Sequence, residues 1–124
     1  MLIHYRKLTR GLQRACFVSA FGMTIVVILT GVIPSAGQVF SNQSHWLVHL
    51  ATFAVLAAAW TCGLPRIPGL IVLLAIIAFA LVHEAIEIVG HSHGYETRDV
   101  AVDAVGVSVG VWLARLAMIR CGPK

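Results

Sequence analysis

Acidic side chains are almost absent from this chain. Of its 124 residues only five are aspartate or glutamate, and all five fall between His83 and Asp103: Glu84, Glu87, Glu96, Asp99 and Asp103. Charged residues of both signs make up 11% of the sequence, against about 25% in an average soluble domain. That scarcity excludes an ordinary water-facing surface. Cysteine occurs three times, at Cys16, Cys62 and Cys121, too widely spaced for a disulfide framework. Packing is the simpler role for these thiols, with acylation the alternative. Lysine and arginine form no basic stripe interleaved with aromatics, so the net charge of +4 does not point to nucleic acid. No internal repeat or low-complexity tract is present, and the length suits one domain, residues 1–124.

Apolar sequence is what the chain has in abundance: 59% of residues are hydrophobic and the mean hydropathy is +0.89. A hydrocarbon layer about 30 Å thick takes about 20 apolar residues per helix. Runs of this kind predict four transmembrane helices, near residues 15–33, 45–62, 69–89 and 97–118. The first run is longer than a signal-peptide core and lacks a clean cleavage site, so it reads as a retained anchor stopped by Pro34. Residues 63–68 (GLPRIP) break the chain again, because each proline lacks an N–H and restricts the residue before it. Thr97 is the expected N-cap of the fourth helix. The expected fold is all-α: a polytopic membrane protein of four transmembrane helices joined by short loops.

The basic residues orient it. Arg6, Lys7, Arg10 and Arg14 precede the first helix, Arg66 sits in the middle loop, and Arg115, Arg120 and Lys124 close the chain. Arg98 alone lies in the remaining two loops. Positive charge collects on the cytoplasmic side, so both termini are expected there and the acidic stretch faces outward. The expected location is a bacterial inner membrane. All three cysteines then map to cytoplasmic helix ends, Trp46 to an outer interfacial belt and Trp60 to an inner one, while Trp112 lies deeper, against a neighbouring helix.

Three helix ends meet on the outer side. Helix two offers His45 and His49, helix three His83 and Glu87 with Glu84 one position round, and helix four Asp99 and Asp103. Each such pair is spaced i, i+4 and shares a helix face. At a rise of 1.5 Å per residue, His49, Glu84 and Asp103 lie about 6–9 Å inside their helix ends. Groups at a common depth can pair. A carboxylate at bilayer depth costs roughly 2.5–3.5 kcal/mol, so it is retained where it meets a partner or water.

Three readings of this layer stay open. It is a structural polar network, with Arg98 and the histidines satisfying the carboxylates. Or it is an outward-facing pocket for a lipid headgroup or envelope glycan. Or it is a metal or catalytic site, for which His49, Glu84, Asp99 and Asp103 have suitable ligand types. The last is the weakest. HEAIE at 83–87 carries Glu87 where a zinc-protease motif has its second histidine, His91 and His93 lack a cysteine partner, and neither a Ser/His/Asp order nor a phosphate-cradling glycine loop is visible. No cofactor is expected, and an enzymatic role ranks last. Gly106 and Gly110 form a GxxxG that lets another helix approach closely, inside the bundle or in a membrane partner.

At these residues the sequence resembles the VanZ-like family of small integral membrane proteins. Residues 47–53 (LVHLATF) are similar to the family's histidine segment at the start of helix two. Glu84 to Glu87 (EAIE) resembles its acidic end of helix three, and residues 99–106 (DVAVDAVG) its D-x-x-x-N-x-x-G opening of helix four. The likeness covers roughly residues 44–115. Glu87 stands where the family usually has glutamine and Asp103 where it has asparagine, so this chain is richer in acid than the pattern. The resemblance implies a four-helix architecture and a role in the cell envelope, extending to glycopeptide or envelope-stress resistance, without specifying a reaction. Site residues expected on both grounds are His49, Glu84, Glu87, Arg98, Asp99 and Asp103. Membrane lipids, an envelope glycan and a membrane protein docking through Gly106 and Gly110 are the expected partners. An accessory subunit of a larger membrane complex is the alternative reading, and a metal-dependent enzyme the third.

Overall fold

The computed structural model describes residues 10–35, 44–91 and 97–120. Arg6, Lys7, His93, Glu96, Cys121 and Lys124, each considered above, lie outside the described residues. Four α-helices run in chain order: α1 Arg10–Val32, α2 His45–Gly63, α3 Gly69–His91 and α4 Thr97–Arg120. Each is long and apolar enough to cross a membrane, and no strand is present among the described residues. The expected four helices are all found. α1 begins five residues earlier than its apolar run, because a helix satisfies its own backbone and so continues beyond the apolar residues into the exposed turn Arg10 to Leu12. α3 likewise continues past Val89, carrying Gly90 against the end of α1.

The punctuation between α2 and α3 is local chemistry. The Leu64 N–H donates to the Trp60 carbonyl at 2.9 Å and closes α2, and Pro65 follows. The Pro68 carbonyl then accepts from Ile71 and Val72 at 3.0 and 3.3 Å, opening α3. Arg115 of α4 clamps the same loop, donating from Nη1 to the Pro65 carbonyl at 3.2 Å and from Nη2 to that of Ile67. These bonds hold one end of the bundle together.

Consecutive helices run antiparallel. The end of α2 at Gly63 lies on the backbone of Phe17 near the start of α1, and the start of α3 at Gly69 lies beside Val111 and Arg115 near the end of α4. It follows that α2 and α4 are parallel, and their contact is the most extensive in the bundle. Gly106 and Gly110 make that contact possible. A Cβ on Gly106 would sit 2.5 Å from the Leu50 carbonyl oxygen, and one on Gly110 would overlap the Ala54 carbonyl. Lipid tails are as apolar as leucine, so such close backbone approach, rather than hydrophobic expulsion, holds membrane helices together. Both glycines are buried against α2. The GxxxG is therefore used inside the bundle and is not the face a membrane partner would meet.

The core is small: Phe53, Leu56, Ala57, Val72, Ile76 and Val107 are buried at its centre. Large apolar side chains cover the outside instead, as on a helix bundle facing lipid. Trp112 is one of them. It is 61% exposed, not packed against a neighbouring helix as expected, because Gly110 and Val111 take the inward positions of that turn. Trp60 is held inside, donating to Thr24 Oγ1 at 3.1 Å and meeting the edge of Phe17 at 5.4 Å between centroids. Cys16 and Cys62 are free thiols, close enough between α1 and α2 for each to act on the other electrostatically.

Candidate functional site

The parallel register of α2 and α4 lines up histidines with aspartates. His45 Nε2 lies 3.1 Å from Asp99 Oδ2, and one turn further in His49 Nδ1 lies 3.0 Å from Asp103 Oδ1. Both pairs are 54 residues apart in sequence. A single helix–helix offset therefore makes two rungs, because each helix carries its polar residues at i, i+4. With the carboxylates ionised, an imidazole N–H donates in each rung, a charge-assisted bond about twice as strong as a neutral one. The glycines one and two turns deeper fix the distance between the helices and so the length of the rungs.

α3 closes the layer from the side. Glu87 Oε2 lies 3.9 Å from His49 Nε2 and 3.8 Å from His83 Nδ1. Glu84 is 1% exposed and sits close enough to Asp103 to act on it electrostatically. His83 turns its other nitrogen to α1, where Nε2–H donates to the Val27 carbonyl at 3.0 Å. Gly31 leaves the space for this, since a Cβ there would sit 3.3 Å from that nitrogen. A carbonyl can only accept, so the bond places the proton of His83 on Nε2. Beneath the layer Phe53 is a floor: its ring stacks on His49 at 6.4 Å and 19°, and His83 meets it edge-on at 5.8 Å.

Of the residues expected from the sequence, His49, Glu84, Glu87, Asp99 and Asp103 are all buried and all belong to this layer. Arg98 does not. It is exposed at the start of α4, and no salt bridge among the described residues joins it to a carboxylate. The physical reason is its position: Asp99 faces α2, so its chain neighbour points away from the bundle. The histidines take over the balancing part. His45 and His83, which the expected site set omitted, are both in contact with its carboxylates. Their signal was the i, i+4 spacing to His49 and Glu87.

The layer gathers four carboxylates, Glu84, Glu87, Asp99 and Asp103, with three histidines, His45, His49 and His83. One group within it has the composition to hold a metal ion: His45, His49 and Asp99 each offer a ligand atom, all within 4.8 Å of one another.

Fold and layer together define an apolar four-helix bundle with a buried histidine–carboxylate layer near one end. Set against protein-family models, curated proteins and solved structures, the chain matches none.

Proposed function

We propose that the chain is a VanZ-like, four-span protein of a bacterial inner membrane, with both termini in the cytoplasm, whose polar layer is an outward-facing functional site in the cell envelope. Arg10, Arg14, Arg66, Arg115 and Arg120 all belong to one end of the bundle, and the carboxylates to the other. Positive charge favours the cytoplasmic side, which puts the layer near the outer face. His45 stands at its rim with 31% of its side chain exposed.

The observation that carries the reading is the gathering of Glu84, Glu87, Asp99 and Asp103 with His49 and His83 in one buried layer at one end of the bundle. Ionisable residues at membrane depth are costly and mark functional sites by default. Such a group of acids is useful where a polar or cationic group arrives from outside. A lipid headgroup or an envelope glycan with a basic group fits this chemistry.

The test compares Glu84→Gln and Asp103→Asn with the wild-type chain in a bacterial host lacking it. Membrane accumulation is measured beside growth under a glycopeptide or another envelope stress. The reading predicts normal accumulation with loss of protection. Variants that protect fully would contradict it, and variants that never accumulate would return the layer to a structural role.

A further inference from the structure

We infer that the outer ends of α2 and α4 carry a divalent transition-metal site, of the kind that takes Zn²⁺, held by His45, His49 and Asp99. The inference rests on the reading of the layer as a site and gives its ligand a chemical class. Three independent features converge on it.

The first is donor geometry. The three residues bring one ligand atom each within 4.8 Å of one another. The tightest edge, His45 Nε2 to Asp99 Oδ2, is 3.1 Å. Metal–ligand bonds of about 2.0–2.1 Å set neighbouring ligands about 2.9 Å apart at right angles and about 3.4 Å apart in a tetrahedron. The observed edge falls between them. The other two edges are no longer than 4.8 Å, and the ligands stand on two helices whose spacing is fixed by Gly106 and Gly110.

The second is the surrounding shell. Metal-binding histidines are oriented by a carboxylate on their other side, and loss of that partner typically costs ten- to a hundredfold in affinity. Asp103 stands at 3.0 Å from His49 and is itself 1% exposed. Asp103 is a positioning residue in this scheme.

The third is ligand chemistry. His45 is the most exposed member of the set, with 31% of its side chain accessible. Two imidazoles and a carboxylate are a mixed nitrogen and oxygen set, which suits Zn²⁺ better than Mg²⁺ or Ca²⁺, both of which prefer all-oxygen sites. Three protein ligands leave a coordination position open. That is the pattern of sites that act on a bound molecule rather than only secure a fold.

The experiment is a titration of the purified, tag-free, full-length protein in detergent with Co²⁺, followed by its visible ligand-field bands, then displacement by Zn²⁺. One equivalent of Co²⁺ is expected per chain, displaced by Zn²⁺. His45→Gln is expected to keep the wild-type helical circular dichroism, since the side chain lies at the rim, and to weaken binding at least tenfold. Asp103→Asn should shift the Co²⁺ spectrum and lower affinity ten- to a hundredfold, a spectroscopic change that a merely structural role would not produce. Absence of saturable Co²⁺ binding by folded wild-type protein overturns the proposal, as does binding that His45→Gln and Asp99→Asn leave unchanged. The outcome is separable from the envelope role. Loss of protection in Glu84→Gln without metal binding sinks the metal and keeps the site, whereas metal binding without protection does the reverse.

Discussion

Replacing Gly110 by alanine puts a methyl group where the backbone of the neighbouring helix already stands. An ideal Cβ at this position lies 2.9 Å from the Ala54 carbonyl carbon and 3.1 Å from its Cα, and closer still to the carbonyl oxygen. No side-chain rotation relieves the overlap, so α2 and α4 must move apart. Overpacking of this kind costs about 1–3 kcal/mol, offset by up to about 1 kcal/mol from the better helix propensity of alanine. A net loss of about 1–2 kcal/mol follows. Gly22→Ala is the control: a Cβ there meets nothing within 4 Å, so only the propensity gain remains. Both variants are compared with wild type by unfolding in mixed micelles of rising denaturing-detergent fraction, followed by circular dichroism. Separation of α2 from α4 also stretches the His45–Asp99 and His49–Asp103 rungs, so Gly110→Ala should lose envelope protection where Gly22→Ala keeps it. Equal stability of the two variants would refute the close α2–α4 approach on which the rest is built.

Three further outcomes are expected. Arg115→Ala should destabilise the bundle by about 1.5–3 kcal/mol, the worth of hydrogen bonds to a charged group, because it frees the Pro65 and Ile67 carbonyls. Arg98→Ala, exposed and outside the layer, should change stability by no more than about 0.5 kcal/mol in the same unfolding assay. A short thiol-bridging reagent should link Cys16 to Cys62 within one chain, read by intact mass and lost in Cys16→Ser; failure to link would mean that α1 and α2 do not pack in this register.

Much of the fold was legible because its signals are long and redundant. Four apolar runs with proline breaks give four helices with little ambiguity, and α1 departs from expectation only where helix continues beyond the apolar run. The site was legible through depth: His49, Glu84 and Asp103 lie at similar distances from their helix ends, and the layer does contain all three. Rotation about the helix axis was not legible. Arg98 and Asp99 are chain neighbours, yet one faces outward and the other α2, and only packing decides which. The same holds for Trp112, turned outward because the glycine beside it in the turn is needed inward. The pairing of α2 with α4 also lay beyond reach, since a run of apolar residues shows no preference among neighbours. In hindsight the matching i, i+4 pairs, His45 with His49 and Asp99 with Asp103, marked the parallel register.

The measurement closest to the heart of this account is a double-mutant cycle between His49 and Asp103. His49→Gln, Asp103→Asn and the double variant are unfolded under identical detergent conditions, and the coupling energy is taken from the four stabilities. Residues in direct contact couple by about 0.5–3 kcal/mol, and a buried charge-assisted bond of 3.0 Å belongs above the lower end of that range. A value above about 1 kcal/mol is predicted. Additivity of the two single substitutions would mean that the rungs between α2 and α4 do not exist.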